Sequence, residues 1–137
     1  MRLTAALLCD SATVRESLLH VLGGGVTVVA SSAFPAPFGV DMALLLELDS
    51  DEPDLSHSVA VTAFDEQGQQ VFRLAGELRR PVTDEGMKPL VPTVNFPLTV
   101  PMSLHPVDRP GLYRIVVSLD ERQDRTLWLR MVDSSSS

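Results

Sequence analysis

The sequence predicts an all-β domain. Three observations carry that prediction. Apolar and polar residues alternate at period two almost from end to end. Turn residues interrupt the alternation, with ten prolines and eight glycines in the chain. The one segment with helical spacing, residues 13–22, is short for a helix and is followed by a β-branched run.

Taken in order, Leu3, Ala5, Leu7 and Cys9 fall on one face of a first strand. Segment 13–22 places Val14, Leu18, Val21 and Leu22 at helical spacing. It also reads as a turn over residues 10–15 leading into a strand, the reading preferred here. Gly23, Gly24 and Gly25 then form a bend. Val40, Met42, Leu44, Leu46 and Leu48 line the next strand, opposite Asp41 and Glu47. Residues 57–64 are rich in β-branched side chains and end in Asp65-Glu66-Gln67-Gly68, a turn with glycine where positive φ is needed. The chain returns with Phe72, Leu74 and Leu78 on one side and Arg73 and Glu77 on the other, the clearest hairpin of the sequence. Residues 80–92, with Pro81, Gly86, Pro89 and Pro92, read as a long loop. Val94, Phe96, Leu98 and Val100 alternate with Pro97, whose missing N–H places the segment at an edge or a bulge. Tyr113, Ile115, Val117 and Leu119 line a further strand, residues 120–124 a polar turn, and Leu127, Leu129 and Met131 the last strand. The sum is a single antiparallel β-sandwich of seven or eight strands with immunoglobulin-like character. It occupies residues 1–133, with 134–137 as a disordered polar tail.

Composition bounds the function. The 137 residues carry 11 Lys plus Arg and 18 Asp plus Glu, a formal charge of −7. That balance argues against duplex nucleic-acid binding and against attachment to anionic lipid. One cysteine excludes an intrachain disulfide and every multi-cysteine metal motif. The start, Met1-Arg2 followed by an apolar run to Cys9, imitates a lipoprotein signal. The run is too short, however, and Leu8 is not the small residue cleavage needs. Read as a strand, it leaves the cytoplasm as the expected location.

Chemistry-bearing groups are sparse. The glycine triplet precedes a strand-like run and lacks the lysine of a phosphate loop, so it reads as a bend that re-aims the strand. Cys9, His20 and Asp10 are the residue types of a thiol nucleophile with its base and orienter, but the phase of Cys9 points it into the core. His20, His57 and His105 lie too far apart in sequence for a metal-binding spacing. Asp49, Asp51, Glu52 and Asp54 cluster like a calcium loop without its glycine and distal glutamate, and read as a solvated turn. Phe34 and Phe38 bracket a proline-stiffened loop, either a cap on the sandwich end or a recognition element. Trp128 alternates with Leu127 and Leu129, so it faces outward beside Arg130. Trp and Arg are the residue types enriched among interface anchors. Tyr113, two residues after Pro110-Gly111, is placed to bond back to the preceding corner, as in a tyrosine corner.

Leu7-Leu8-Cys9-Asp10-Ser11-Ala12-Thr13-Val14, followed by Val21-Leu22-Gly23-Gly24-Gly25, resembles the start of a family of small uncharacterised bacterial β-sandwich proteins. In that family an Asp-x-Ala-x-Val motif precedes Val-Leu-Gly-Gly-Gly. The Asp65–Gly68 turn and Gly111-Leu112-Tyr113 fit the same pattern, whereas Glu16-Ser17-Leu18 departs from it. The resemblance implies a β-sandwich and no agreed activity, so it supplies no catalytic residue.

The expected function is therefore a non-enzymatic protein-binding or adaptor module, acting through loops or an open sheet edge. Phe34, Phe38, Trp128 and Arg130 are its candidate binding residues, with no catalytic residue, metal or cofactor expected. A protein partner or self-association is expected, and neither nucleic acid nor membrane. Two alternatives stand beside this reading. One is a small-molecule, carbohydrate or calcium binder. The other is a hydrolase-type enzyme using Cys9 or a histidine metal site.

Overall fold

The computed structural model describes residues 1–50, 56–79 and 91–135. Among these the chain is all-β, with eleven strands and no helix. They are β1 (Arg2–Arg15), β2 (Leu18–Gly24), β3 (Val28–Ser31), β4 (Ala36–Pro37), β5 (Asp41–Asp49), β6 (Ser56–Phe64), β7 (Gln70–Arg79), β8 (Thr93–Val100), β9 (Pro106–Val107), β10 (Gly111–Leu119) and β11 (Arg122–Asp133). A four-stranded sheet has the order β2-β1-β5-β8 and a five-stranded sheet the order β3-β11-β10-β6-β7; β4 and β9 form a separate pair. The strand number thus exceeds the expected seven or eight. Nor is the pairing wholly antiparallel, because β3 runs parallel to β11.

The two sheets pack on one core. From β5 come Met42, Leu44, Leu46 and Leu48, and from β10 Tyr113, Ile115, Val117 and Leu119, all buried as the period-two pattern requires. Leu129 and Met131 of β11 and Val59, Val61 and Ala63 of β6 complete it. The β6–β7 hairpin closes over Asp65–Gly68, with Gly68 at φ +79°. Asp65 Oδ1 accepts the N–H groups of Gln67 and Gln69, each at 2.9 Å. Among the described residues β8 pairs only with β5, where Pro97 lies opposite Leu45, so the proline sits on a sheet edge as expected.

The first strand is out of phase with the sequence expectation. Leu3 pairs with Leu46 but Ala5 with Leu45, so Thr4 is an extra residue in a bulge. Beyond it Ala6 and Leu8 turn inward and Leu7 is left 40 % exposed. Cys9 is buried, as expected, although not as part of a Leu3-Ala5-Leu7 face. Segment 13–22 is extended, and its turn lies at Glu16-Ser17 instead of within residues 10–15. The glycine triplet re-aims the chain. Gly23 and Gly25 adopt φ +63° and +90°, and the Leu8 carbonyl accepts N–H bonds from Gly25 and Val26 at 2.8 and 3.0 Å. The chain thereby leaves the four-stranded sheet and enters the other as β3, which accounts for the parallel pairing.

The expected long loop falls mostly on residues 80–90, and the acidic run mostly on residues 51–54; both stretches lie outside the described residues. Of the expected tail, residues 136–137 do so too. Ser134 donates its N–H to the Ser31 carbonyl at 2.9 Å.

Candidate functional site

The outer face of the five-stranded sheet is assembled by register from all five of its strands. Trp128 of β11 lies opposite Arg114 of β10, which lies opposite Phe64 of β6. One row on, Leu112 is opposite Arg130, and Arg130 is opposite Val28 of β3. On the other side, Val116 sits between Thr126 and Thr62, and Thr62 is opposite Arg73 of β7. Directly opposed residues share a face, so these three rows lie on one side of the sheet, where Val116 and Thr62 are themselves buried. Trp128 is 51 % exposed and Val28 56 % exposed on it. The Arg114 guanidinium lies 4.6 Å above the centroid of the Phe64 ring, a cation–π contact that fixes its position beside Trp128.

A clamp at one end of the sheet holds this surface. The Tyr113 hydroxyl donates to the Arg109 carbonyl at 2.6 Å, four residues upstream, as the tyrosine-corner reading expects. Arg109 bonds Gln67 Oε1 at 2.7 Å and Asp65 at 3.2 Å. Glu66 accepts the Leu112 N–H at 2.8 Å. The turn after Phe64 is thereby tied to the strand that carries Leu112 and Arg114. Backbone N–H bonding, first from Gln69, and the Arg109 guanidinium hold the Asp65 carboxyl below its ordinary range.

The four candidate binding residues separate into two places. Trp128 and Arg130 stand together on the outer face. Phe38 is fully buried, packed edge-on against Phe72 at 5.4 Å and Tyr113 at 6.0 Å between ring centroids. It belongs to the core and is corrected from a surface anchor. The loop carrying it is folded back by bonds from the Phe38 and Gly39 N–H groups to the His105 and Ser103 carbonyls at 2.8 and 2.9 Å. Phe34 is half-buried against the same core. Arg114, Phe64, Val28 and Leu112 were not singled out by the sequence. The outward phase of Arg114 between Tyr113 and Ile115 was the one available signal.

The other chemistry-bearing groups lie apart. Cys9 is enclosed, its Sγ 3.5 Å from the Asp41 carbonyl. Burial, with Asp41 and Asp10 adding, pushes its thiol up and so disfavours the thiolate. His20 is exposed on β2, His57 is buried with Nδ1 2.9 Å from Asp120, and the His105 ring stacks on Phe72 at 4.5 Å. Among the described residues, no group of three or more His, Cys, Asp or Glu side chains is placed to hold a metal ion. No helix among them is long and apolar enough to cross a membrane. An apolar groove of about 230 Å³ runs between β7 and β8, the outer strands of the two sheets, lined by Val59, Val61, Leu74, Leu78, Leu98 and Val100.

No curated protein matches the chain. Its family is nevertheless clear, because one family model matches residues 4–132, nearly its whole length: the chain belongs to a family of unknown function, DUF6941.

Proposed function

We infer that this protein is a non-enzymatic interaction module that engages a protein partner through the outer face of its five-stranded sheet, with Trp128 as the anchor. The observation that carries this reading is a half-exposed indole flanked by Arg130 and by an Arg114 held in place on Phe64. Trp and Arg dominate interface energetics when a partner desolvates them. A sheet face interleaving them with Val28 and Leu112 offers apolar area together with orienting charge. An immunoglobulin-like sandwich is the architecture we assign, supported by the Tyr113–Arg109 bond at the entry to β10. We place the protein in the cytoplasm, in keeping with its single enclosed thiol.

The test is affinity capture from native lysate with wild-type protein and Trp128→Ala in parallel. The side chain lies outside the core, so the variant should keep its unfolding midpoint. Loss of an anchor weakens binding by at least ~2 kcal/mol, enough to remove the partner from the captured material. Equal capture by both proteins contradicts the reading, and size that grows with protein concentration identifies the partner as a second copy.

A second reading, a small-molecule binder, has the apolar groove between β7 and β8 as its supporting observation. It predicts a saturable thermal shift with a small apolar ligand, abolished by Leu98→Asp and untouched by Trp128→Ala.

A further inference from the structure

Carboxylates outnumber cations 18 to 11 in this chain. Two of the arginines are accordingly neutralised: Arg2 by Glu47 and Asp49, and Arg109 by Asp65. Most of the other described arginines have no such partner, and three of these gather on the outer face of the five-stranded sheet. Arg114 and Arg130 flank Trp128, and Arg73 stands on the same face at the β7 edge. Among the described residues none of these three has a carboxylate oxygen within 4.0 Å. No Asp or Glu occupies any of the three rows that build the surface. These three rows thus carry three arginines and no carboxylate, while Glu77 stands farther along the same face, opposite Ser58.

Guanidinium groups pair carboxylates bidentately, and an exposed indole buries an apolar side chain next to them. Trp128 and Arg130 are two residues apart on one strand, roughly 7 Å, which is the repeat of alternate side chains on an extended peptide. Resting on the protein-interaction reading above, we propose that this face takes an extended, acid-rich polypeptide segment. Its carboxylates pair with Arg114, Arg130 and Arg73, and an apolar side chain lies between them against Trp128 and Val28. Single-stranded nucleic acid fits less well. Such binders stack successive bases on several open aromatic faces along a cationic groove. Here the ring of Phe64 is covered by Arg114, and the net charge of −7 opposes a polyanion.

Trp128 is the only tryptophan, so its fluorescence reports on the surface directly. The full-length protein is titrated with a short peptide alternating Glu and Thr around a central Phe. The same peptide with Gln for Glu, the same with Lys for Glu, and oligothymidylate serve as comparisons. The Glu peptide should give a saturable emission shift that weakens with salt. The Gln peptide should bind at least tenfold more weakly, and the Lys peptide should leave the emission unchanged. Arg130→Gln and Arg73→Gln should each weaken the Glu peptide several-fold without altering the unfolding midpoint. No shift with the Glu peptide, equal shifts with the Glu and Gln peptides, or tighter binding of oligothymidylate overturns the proposal. If the Glu peptide fails while Trp128→Ala still abolishes capture, the acidic partner falls and the interaction reading stands. If Trp128→Ala leaves capture intact, the interaction reading itself falls.

Discussion

Aromatic residues in this protein divide between two jobs, and the division is measurable one side chain at a time. Phe38 is fully buried between Phe72 and Tyr113, so Phe38→Ala should cost about 3–5 kcal/mol in denaturant unfolding. Trp128→Ala, at the solvent face, should cost about 1 kcal/mol or less. Comparable losses at the two positions would deny the division. Tyr113→Phe removes only the hydroxyl bond to the Arg109 carbonyl and should cost about 1 kcal/mol. Trp128 and Tyr113 were legible in sequence, one from its phase in a strand and the other from the Pro-Gly pair before it. Phe38 was not, because a proline-flanked loop has no periodicity. Bonds to Ser103 and His105, over sixty residues away, and the pairing of β4 with β9 fold it back.

Carboxylates set the acid response at this same scale. Burial would raise the Asp120 carboxyl, but the His57 hydrogen bond and the Ser58 N–H outweigh it and hold the group down. Asp65 is lowered as well, first by the Gln69 N–H. A carboxyl with a lower value folded than unfolded stabilises the fold above its ordinary value of 3.8. That contribution is lost as pH falls through the folded-state value. Unfolding midpoints should therefore hold from neutral pH to just above 4 and drop below it. Asp120→Asn should shrink the drop, and an unchanged acid limb would show that the His57–Asp120 pair does not take part.

At the scale of elements, two hairpins close with two-residue turns in which both residues have positive φ: Glu16-Ser17 at +53° and +62°, and Asp120-Glu121 at +48° and +65°. This is the type I′ geometry, which matches strand twist and favours Asn-Gly. The first pair is exposed, so Glu16→Asn with Ser17→Gly should stabilise the protein by about 0.5–1 kcal/mol. A loss of stability would place the turn elsewhere. Gly23→Ala should destabilise by more than ~1 kcal/mol. Its φ is +63°, and a Cβ there would meet Asp10 Oδ2 at 2.5 Å. Strands β5, β7, β10 and β11 are readable from the period-two face each turns to the core, whereas β6, buried on both faces, is readable from its β-branched content and the turn that follows it. The Thr4 bulge carried no such mark, as a single extra residue changes the phase without changing composition. Glu16-Ser17 lacks the Asn-Gly that its geometry favours, so the sequence alone puts the first turn too early.

At the scale of the whole molecule, the sequence showed an all-β chain but not the order of its strands, and the candidate site depends on that order. Trp128 and Arg130 were visible as neighbours on one strand. Val28, Phe64, Leu112 and Arg114 join them only through the pairing of β3, β11, β10 and β6. That pairing needs the glycine bend that carries β3 into the second sheet. The central claim is that this assembled face meets the partner. Its most direct test is site-specific photo-crosslinking in native lysate. The photoreactive residue replaces Val28 on the face in one protein and Leu18, exposed on the other sheet, in a second. A single partner adduct formed from position 28 and absent from position 18 is the predicted result. An adduct formed from position 18 alone, or equally from both, would contradict it.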